Sequence, residues 1–329
     1  MATLDWSALT RSQTKRKLYA RETYFREGLS DAEEVLAERL PAALRDGALL
    51  MLKPDGLAAG RLIPVLDYLG EHGFTVTAAR EFRFQPFHWR ELWRYQLTSA
   101  TLDRLAVNEL LLGAGPALLL LLRSESGHPL PGTVRLSTLK GSATLEAQRP
   151  GTLRALLGQP NRVLSYVHVA DEPADLLREL GLLVDAADRR ALLDSLAGGA
   201  PTAEDQATLD RARERFAAPS RSLALADVLD RVTRAVEAAG PGRAADAARH
   251  RLARMARGER VEWRPFLADL AAAGAHPDRW DLAALGTYVI EYDEPGHPKM
   301  LTNPDPQSWV SAPQPHVSAG GQSRQRENV

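Results

Sequence analysis

The stretch Ala48-Leu49-Leu50-Met51-Leu52-Lys53-Pro54-Asp55-Gly56 reads as a short buried strand that ends at Lys53 and is broken by a Pro-Asp-Gly turn. It places an ammonium at the rim of a sheet. Downstream, a helix is expected over Arg61 to Leu69, closed by Gly70 or Gly73. Phe74 to Phe84 then alternates with period two, a strand with Phe82 and Phe84 on one face. Helical pieces fill roughly 88 to 112. Next comes the apolar run Ala117 to Leu122, far short of the ~20 residues of a membrane-spanning helix and therefore a buried strand. A Gly/Pro-rich turn over 127–132 leads to a short helix ending at Lys140. Arg149-Pro150-Gly151-Thr152-Leu153-Arg154 turns into another helix, Arg162 to Val169 is extended and apolar, and Asp171-Glu172-Pro173 opens a further helix with Asp171 as its N-cap. The order of elements suggests an α+β layer structure, a sheet with helices packed on one side.

Outward from this core, residues 1–46 read as a helical extension stopping at Gly47. From about 186 the strands cease. Leu/Ala/Val stripes over 202–217, 220–239 and 242–257, separated by Pro219 and Gly240-Pro241-Gly242, make 186–292 an all-α module. The α+β region is 47–185. Beyond Asp293 the chain is rich in Pro, Ser, Gln, Asn and Gly, so 293–329 is expected to be a flexible tail or to lie over a surface. The chain's 329 residues suggest about two domains. Its 41 basic and 42 acidic residues give a net charge of -1, so nucleic acid is not an expected partner. The absence of cysteine excludes disulfides, thiolate metal sites and cysteine nucleophiles. Arg11, Lys15, Arg16 and Lys17 have no apolar stretch behind them, and the expected location is cytoplasmic, with no membrane segment.

Four features carry chemistry. Lys53 closes the first strand, and Arg154 presents a guanidinium suited to forked phosphate contacts. His168 ends the last extended segment, and Glu179 lies about two turns into the next helix. A carboxylate there can hold one imidazole nitrogen protonated and leave the other as a nucleophile. The remaining histidines show no spacing that would gather three metal ligands. The arginine run from Arg243 to Arg260 is interleaved with Asp246 and Glu259, a solvated helix face. Tyr288-Val289-Ile290-Glu291-Tyr292 reads as a short strand or docking segment without chemistry.

Taken together, strand-Lys53-Pro54-Asp55-Gly56, Gly115-Pro116 before an apolar strand, Pro150-Gly151-Thr152-Leu153-Arg154 and Val167-His168-Val169-Ala170-Asp171 followed by Glu179 resemble nucleoside diphosphate kinase over roughly residues 47–182. The spacing of histidine to glutamate, 179 − 168 = 11, agrees with the family. The resemblance implies a ferredoxin-like, four-stranded antiparallel sheet with helices. It implies that His168 accepts the γ-phosphoryl of a nucleoside triphosphate and passes it to a diphosphate, that Glu179 orients the imidazole, and that Lys53 and Arg154 hold phosphates. It further implies nucleotide contacts from Arg104, Tyr95, Thr144 and Ser165, with Trp89 and Trp93 in the base-stacking region. Magnesium would arrive with the nucleotide, touched at most through water by Asp171. A homo-oligomer is implied, and the C-terminal helices offer a surface for a protein partner.

The chain departs from the family around the nucleotide. The family's His-Gly-Ser-Asp is His168-Val169-Ala170-Asp171, its asparagine three before the histidine is Ser165, and one residue is inserted between Arg154 and His168, shifting Asn161. Ser137 stands where the family has an arginine, with Arg135 nearby, and Ala143 stands for its threonine, with Thr144 beside it. Two readings follow: a phosphotransferase working through phospho-His168, or a catalytically inactive nucleotide-binding or scaffold protein with a kinase-like domain.

Overall fold

Two strands that are apolar on both faces along nearly their whole length set the architecture. The computed structural model describes residues 5–198 and 200–310. In it β1 (Gly47–Leu52) and β3 (Ala117–Ser124) lie side by side at the centre of a four-stranded sheet, flanked by β2 (Phe74–Phe82) and β4 (Val167–Val169). The order is β2-β3-β1-β4 and every pairing is antiparallel. With helices between β1 and β2 and between β3 and β4, this is the ferredoxin-like arrangement.

Helices cover both faces of the sheet, not one. Leu50, Leu52, Leu118, Leu120 and Leu122 project into a core shared with the Leu62–Glu71 and Leu102–Leu112 helices and with the helices between Ala203 and Val289. Leu49, Met51, Leu119 and Leu121 project the other way, against the N-terminal helices Thr23–Leu36 and Leu40–Asp46 and the helices Pro173–Leu183 and Ala186–Leu196. The reason is visible in the strands themselves. A sheet with one wet face alternates apolar and polar residues, whereas β1 and most of β3 are buried at every position.

Several boundaries differ from the expected ones for local reasons. Pro54-Asp55-Gly56 is not a free turn but the start of a short helix, Pro54–Ala58, with proline at the position where a missing N–H is harmless. The following helix runs to Glu71, past Gly70. Asp171 does not cap the helix after β4. Glu172 does, exchanging hydrogen bonds with Asp175 in a capping box, with Pro173 next in line. The extended segment 162–169 yields only a three-residue strand, because Tyr166 has φ 60° and breaks the ladder. Asp55 accepts a hydrogen bond from the Tyr166 amide at 3.0 Å, and Asn161 Oδ1 accepts from the amides of Val163 and Leu164 at 3.0 and 2.9 Å. These two side chains hold the irregular backbone that delivers His168.

Of the expected tail, residues 293–310 follow the surface: Leu301 is buried against the N-terminal side, and Gln307–Val310 forms a helical turn. Residues 311–329 lie outside the described residues. Among the described residues no helix is long and apolar enough to cross a membrane.

Candidate active site

His168 stands opposite Met51 in the β1–β4 register, so it projects toward the face covered by the Pro173–Leu183 helix. That helix carries Glu179, itself buried, and both carboxylate oxygens lie 3.0 Å from His168 Nε2. The other ring nitrogen is met from a different direction. Trp93 Nε1 donates to His168 Nδ1 at 3.2 Å, with the rings edge to face at 5.6 Å between centroids. An indole N–H can only donate. His168 Nδ1 must therefore carry the lone pair, Nε2 carries the hydrogen, and Glu179 accepts it. Two neighbours thus select one tautomer, and the basic nitrogen is the one that faces away from the carboxylate.

Beside that nitrogen is a cavity of about 150 Å³ lined by His168 together with Lys53, Arg104, Arg154 and Arg162. Lys53 follows β1 and is buried, its Nζ donating to the Val163 carbonyl at 2.9 Å and lying 3.4 Å from Asp55. Arg154, at the start of the Leu153–Leu156 turn of helix, donates to the carbonyls of Gly141 and Val167 at 3.0 and 2.9 Å. Nε of Arg104 and Nε of Arg154 are buried with no hydrogen-bond partner among the described residues. Burial pushes the pKa values of Lys53, Arg104 and Arg154 down, because desolvation disfavours each charged form and the nearby carboxylates Asp55, Asp293 and Asp171 offset it only in part. A wall of buried cations with unused donors is an environment that an anion would complete.

The residues expected from the sequence do not all converge. His168, Glu179, Lys53 and Arg154 come together, and Arg104 and Ser165 join them on the cavity wall. Tyr95 does not. Its hydroxyl is bonded to Glu22 of the N-terminal extension, and burial followed by that carboxylate pushes its pKa up to about 12. Thr144 is exposed on the loop after Gly141, its amide bonded to Ser142 Oγ, and Ala143 lines the cavity instead. Trp89 is fully buried in the core, not available for stacking. Asp171 is held by Lys140 Nζ at 2.8 Å and Ser137 Oγ at 2.5 Å. Burial alone would raise its pKa, but Lys140, Lys15 and the Ser137 hydroxyl together hold it well below the usual carboxylate range.

Those engagements bear on magnesium. Asp171 already satisfies an ammonium, and no group of three His, Asp or Glu side chains among the described residues is arranged to hold a metal ion. The donor set fits a phosphate-bearing anion and does not fit a protein-held magnesium.

Sequence reasoning missed two participants. Trp93, expected only in a stacking region, contacts the histidine, and Arg162, expected only at the start of an extended segment, lines the cavity. Neither has a local signal, since each is defined by what the fold brings beside it.

No protein-family model and no curated protein matches the chain. Among solved structures, similarity extends to nucleoside diphosphate kinases. That of Aquifex aeolicus is 23% identical, with 43% of this chain and 96% of that one covered at a TM-score of 0.36. The enzyme of Pyrobaculum aerophilum is 16% identical over 43% of this chain and 97% of its own, at a TM-score of 0.33. A halophilic enzyme from Halobacterium salinarum, solved in complex with CDP, is 16% identical over 39% of this chain and 78% of its own, at a TM-score of 0.32.

Proposed function

We propose that the chain is a phosphotransferase in which His168 Nδ1 takes a phosphoryl group from a nucleoside triphosphate and passes it to a diphosphate or related acceptor. The observation that carries this reading is the tautomer: Nε2–H fixed on Glu179 at 3.0 Å and Nδ1 bearing the lone pair beside the cationic cavity. In the transfer step the Nδ1 lone pair forms the N–P bond while the bond from phosphorus to the bridging oxygen breaks. The electron pair leaves with the diphosphate, whose growing charge falls on Lys53, Arg104 and Arg154. The imidazole becomes cationic, and the Glu179 carboxylate, already in place, balances it. The second half-reaction is the reverse with a new acceptor. Magnesium accompanies the nucleotide as its counterion.

Trp93 has a cost in this scheme, because its N–H must leave Nδ1 before attack. A neutral hydrogen bond of this kind is worth about 1 kcal/mol. Glu179 alone suffices to keep the tautomer. Trp93→Phe retains the edge-to-face packing without the competing donor and is expected to speed phosphoryl uptake by about fivefold, the equivalent of that ~1 kcal/mol. Single-turnover labelling with γ-labelled ATP measures it, and a slower variant would mean that the indole positions the ring instead of blocking it.

The decisive experiment is to incubate the full chain with γ-labelled ATP and magnesium and look for acid-labile, alkali-stable label. Uptake supports the reading. A wild-type protein that takes up none, alongside a nucleoside diphosphate kinase that does, sinks it and leaves the non-catalytic binding or scaffold reading. That second reading draws on the size of the cavity, since about 150 Å³ is below the ~300–1,000 Å³ common for small-molecule sites.

A further inference from the structure

The segment that follows the last long helix bonds to two of the arginines that line the cavity. After the helix Arg279–Val289 the backbone runs along residues 95–101, past the N-terminal end of the Leu102–Leu112 helix, anchored by buried Ile290 at one end and buried Leu301 at the other. Thr101 N donates to Tyr292 O at 3.2 Å, Glu294 N to Ser99 O at 2.7 Å and Met300 N to Tyr95 O at 3.0 Å. Between the anchors, residues 294–300 are exposed. Asp293 is where this strap turns inward. Its carboxylate accepts from Arg104 Nη1 at 2.6 Å, Arg162 Nη1 at 2.8 Å and Ser99 Oγ at 3.0 Å. The Tyr292 ring lies beneath the guanidinium groups of Arg162 and Arg260, at 5.5 and 5.7 Å.

A carboxylate bridging two guanidinium groups that both line the cavity occupies the bonding positions an anionic ligand would use. The space left is too small for a nucleotide and large enough for little more than a phosphate group. The strap is held by backbone hydrogen bonds, by the hydroxyls of Thr98 and Thr101 on the carbonyls of Pro298 and Glu291, and by ion pairs of Asp293 with Arg104 and Arg162 and of Glu291 with Arg260. Polar contacts of this kind, rather than a continuous buried face, are the make-up of a segment that opens locally. We propose that the segment Glu291–Leu301 is a built-in acidic strap, with Asp293 standing on Arg104 and Arg162 in place of a ligand's phosphates, and that nucleotide binding requires its displacement. The inference rests on the reading that a phosphate-bearing ligand enters the His168 cavity. The apparent affinity for such a ligand is then reduced in proportion to the fraction of molecules with the strap open.

The test uses the full chain and ADP. Asp293→Asn keeps the shape and the Ser99 contact but removes the charge, and isothermal titration is expected to show ADP binding tightened by about tenfold. Unchanged, weaker or absent binding in the variant overturns the proposal. Because removing an acid favours any anion by simple electrostatics, hydrogen exchange on the unaltered chain provides a second reading. Saturating ADP is expected to deprotect the amides of Thr101 and Glu294, and undiminished protection overturns the strap as a competitor. Labelling separates the two ideas. Label on His168 at equal rates in wild type and Asp293→Asn keeps the phosphotransferase and removes the strap. Tighter ADP binding with strap opening but no label in either protein keeps the strap and removes the phosphotransferase.

Discussion

Glu179→Gln is expected to slow phosphoryl uptake by at least about a hundredfold, and His168→Ala to abolish acid-labile label altogether. The glutamate is buried, and both of its oxygens stand 3.0 Å from Nε2, so the substitution changes the chemistry of the pair more than its geometry. A glutamine oxygen can still accept from Nε2–H, but it carries no charge to balance the imidazolium that forms as the N–P bond is made. Its NH2 group also favours the opposite tautomer, in which Nε2 is the acceptor and Nδ1 holds the hydrogen. Trp93 Nε1–H would then face an N–H at 3.2 Å, so Trp93 resists that tautomer and keeps part of the activity. The measurement is the single-turnover rate with γ-labelled ATP on both variants. Label persisting in His168→Ala would move the site elsewhere, and an unaltered rate in Glu179→Gln would mean that the carboxylate has no share in the transfer.

What the sequence made legible follows from how local each feature is. His168 and Glu179 were readable because a strand end and the second turn of the next helix are joined by eleven residues of chain, and any regular strand-to-helix connection brings them together. Lys53 and Arg154 are ordinary singly and were legible only as members of a set of motifs in order along the chain; both line the cavity beside His168. Asp55 in the same Lys-Pro-Asp-Gly motif was assigned to a turn, yet it holds the strained Tyr166 backbone two residues before the histidine, a contact across 111 residues. Tyr95 and Trp93 are two residues apart on a turning backbone, so they face different partners, Glu22 and His168, and the segment's composition does not say which. Asp293 lies at the point where the low-complexity tail was expected to begin. Nothing in its neighbours marks it, and only the fold places it against Arg104 and Arg162.

The covering of both sheet faces was in principle readable, and its consequence reaches the site. Uninterrupted apolar runs in β1 and β3 require a second layer of helices, which Pro173–Leu183 and Ala186–Leu196 supply together with the N-terminal extension packed on them. The extension therefore braces the helix that carries Glu179. Arg178, next to Glu179, is bonded to Glu22 and to the Glu91 carbonyl, and Lys15 bonds Glu172 and Asp175 at 2.7 and 2.6 Å, at the start of the same helix. The contacts of Lys15 and Glu22 are buried ion pairs that tie the N-terminal extension to the Pro173–Leu183 helix.

Gly28→Ala tests that brace and is expected to destabilise the protein by about 3 kcal/mol. Helices Thr23–Leu36 and Pro173–Leu183 cross through a reciprocal pair of glycines. A Cβ on Gly28 would lie 2.1 Å from the Leu177 carbonyl oxygen, and one on Gly181 would lie 2.1 Å from the Tyr24 carbonyl oxygen. Both obstacles are backbone, so no side chain can rotate away, and the helices must separate by about 1 Å to reach ordinary contact. Separation strips close packing along the Thr23–Leu36 crossing and pulls on Leu177, two residues before Glu179, so phosphoryl uptake should fall with stability. At roughly 2–4 °C per kcal/mol for a chain of this class, the melting temperature drops by about 6–12 °C. Gly70→Ala is the control: the position is helical and a Cβ there meets nothing within 4 Å, so the change should be neutral or stabilise by up to about 1 kcal/mol. If Gly28→Ala behaved like Gly70→Ala in a thermal melt, the close crossing would be wrong. The N-terminal extension would then have no hold on the position of Glu179.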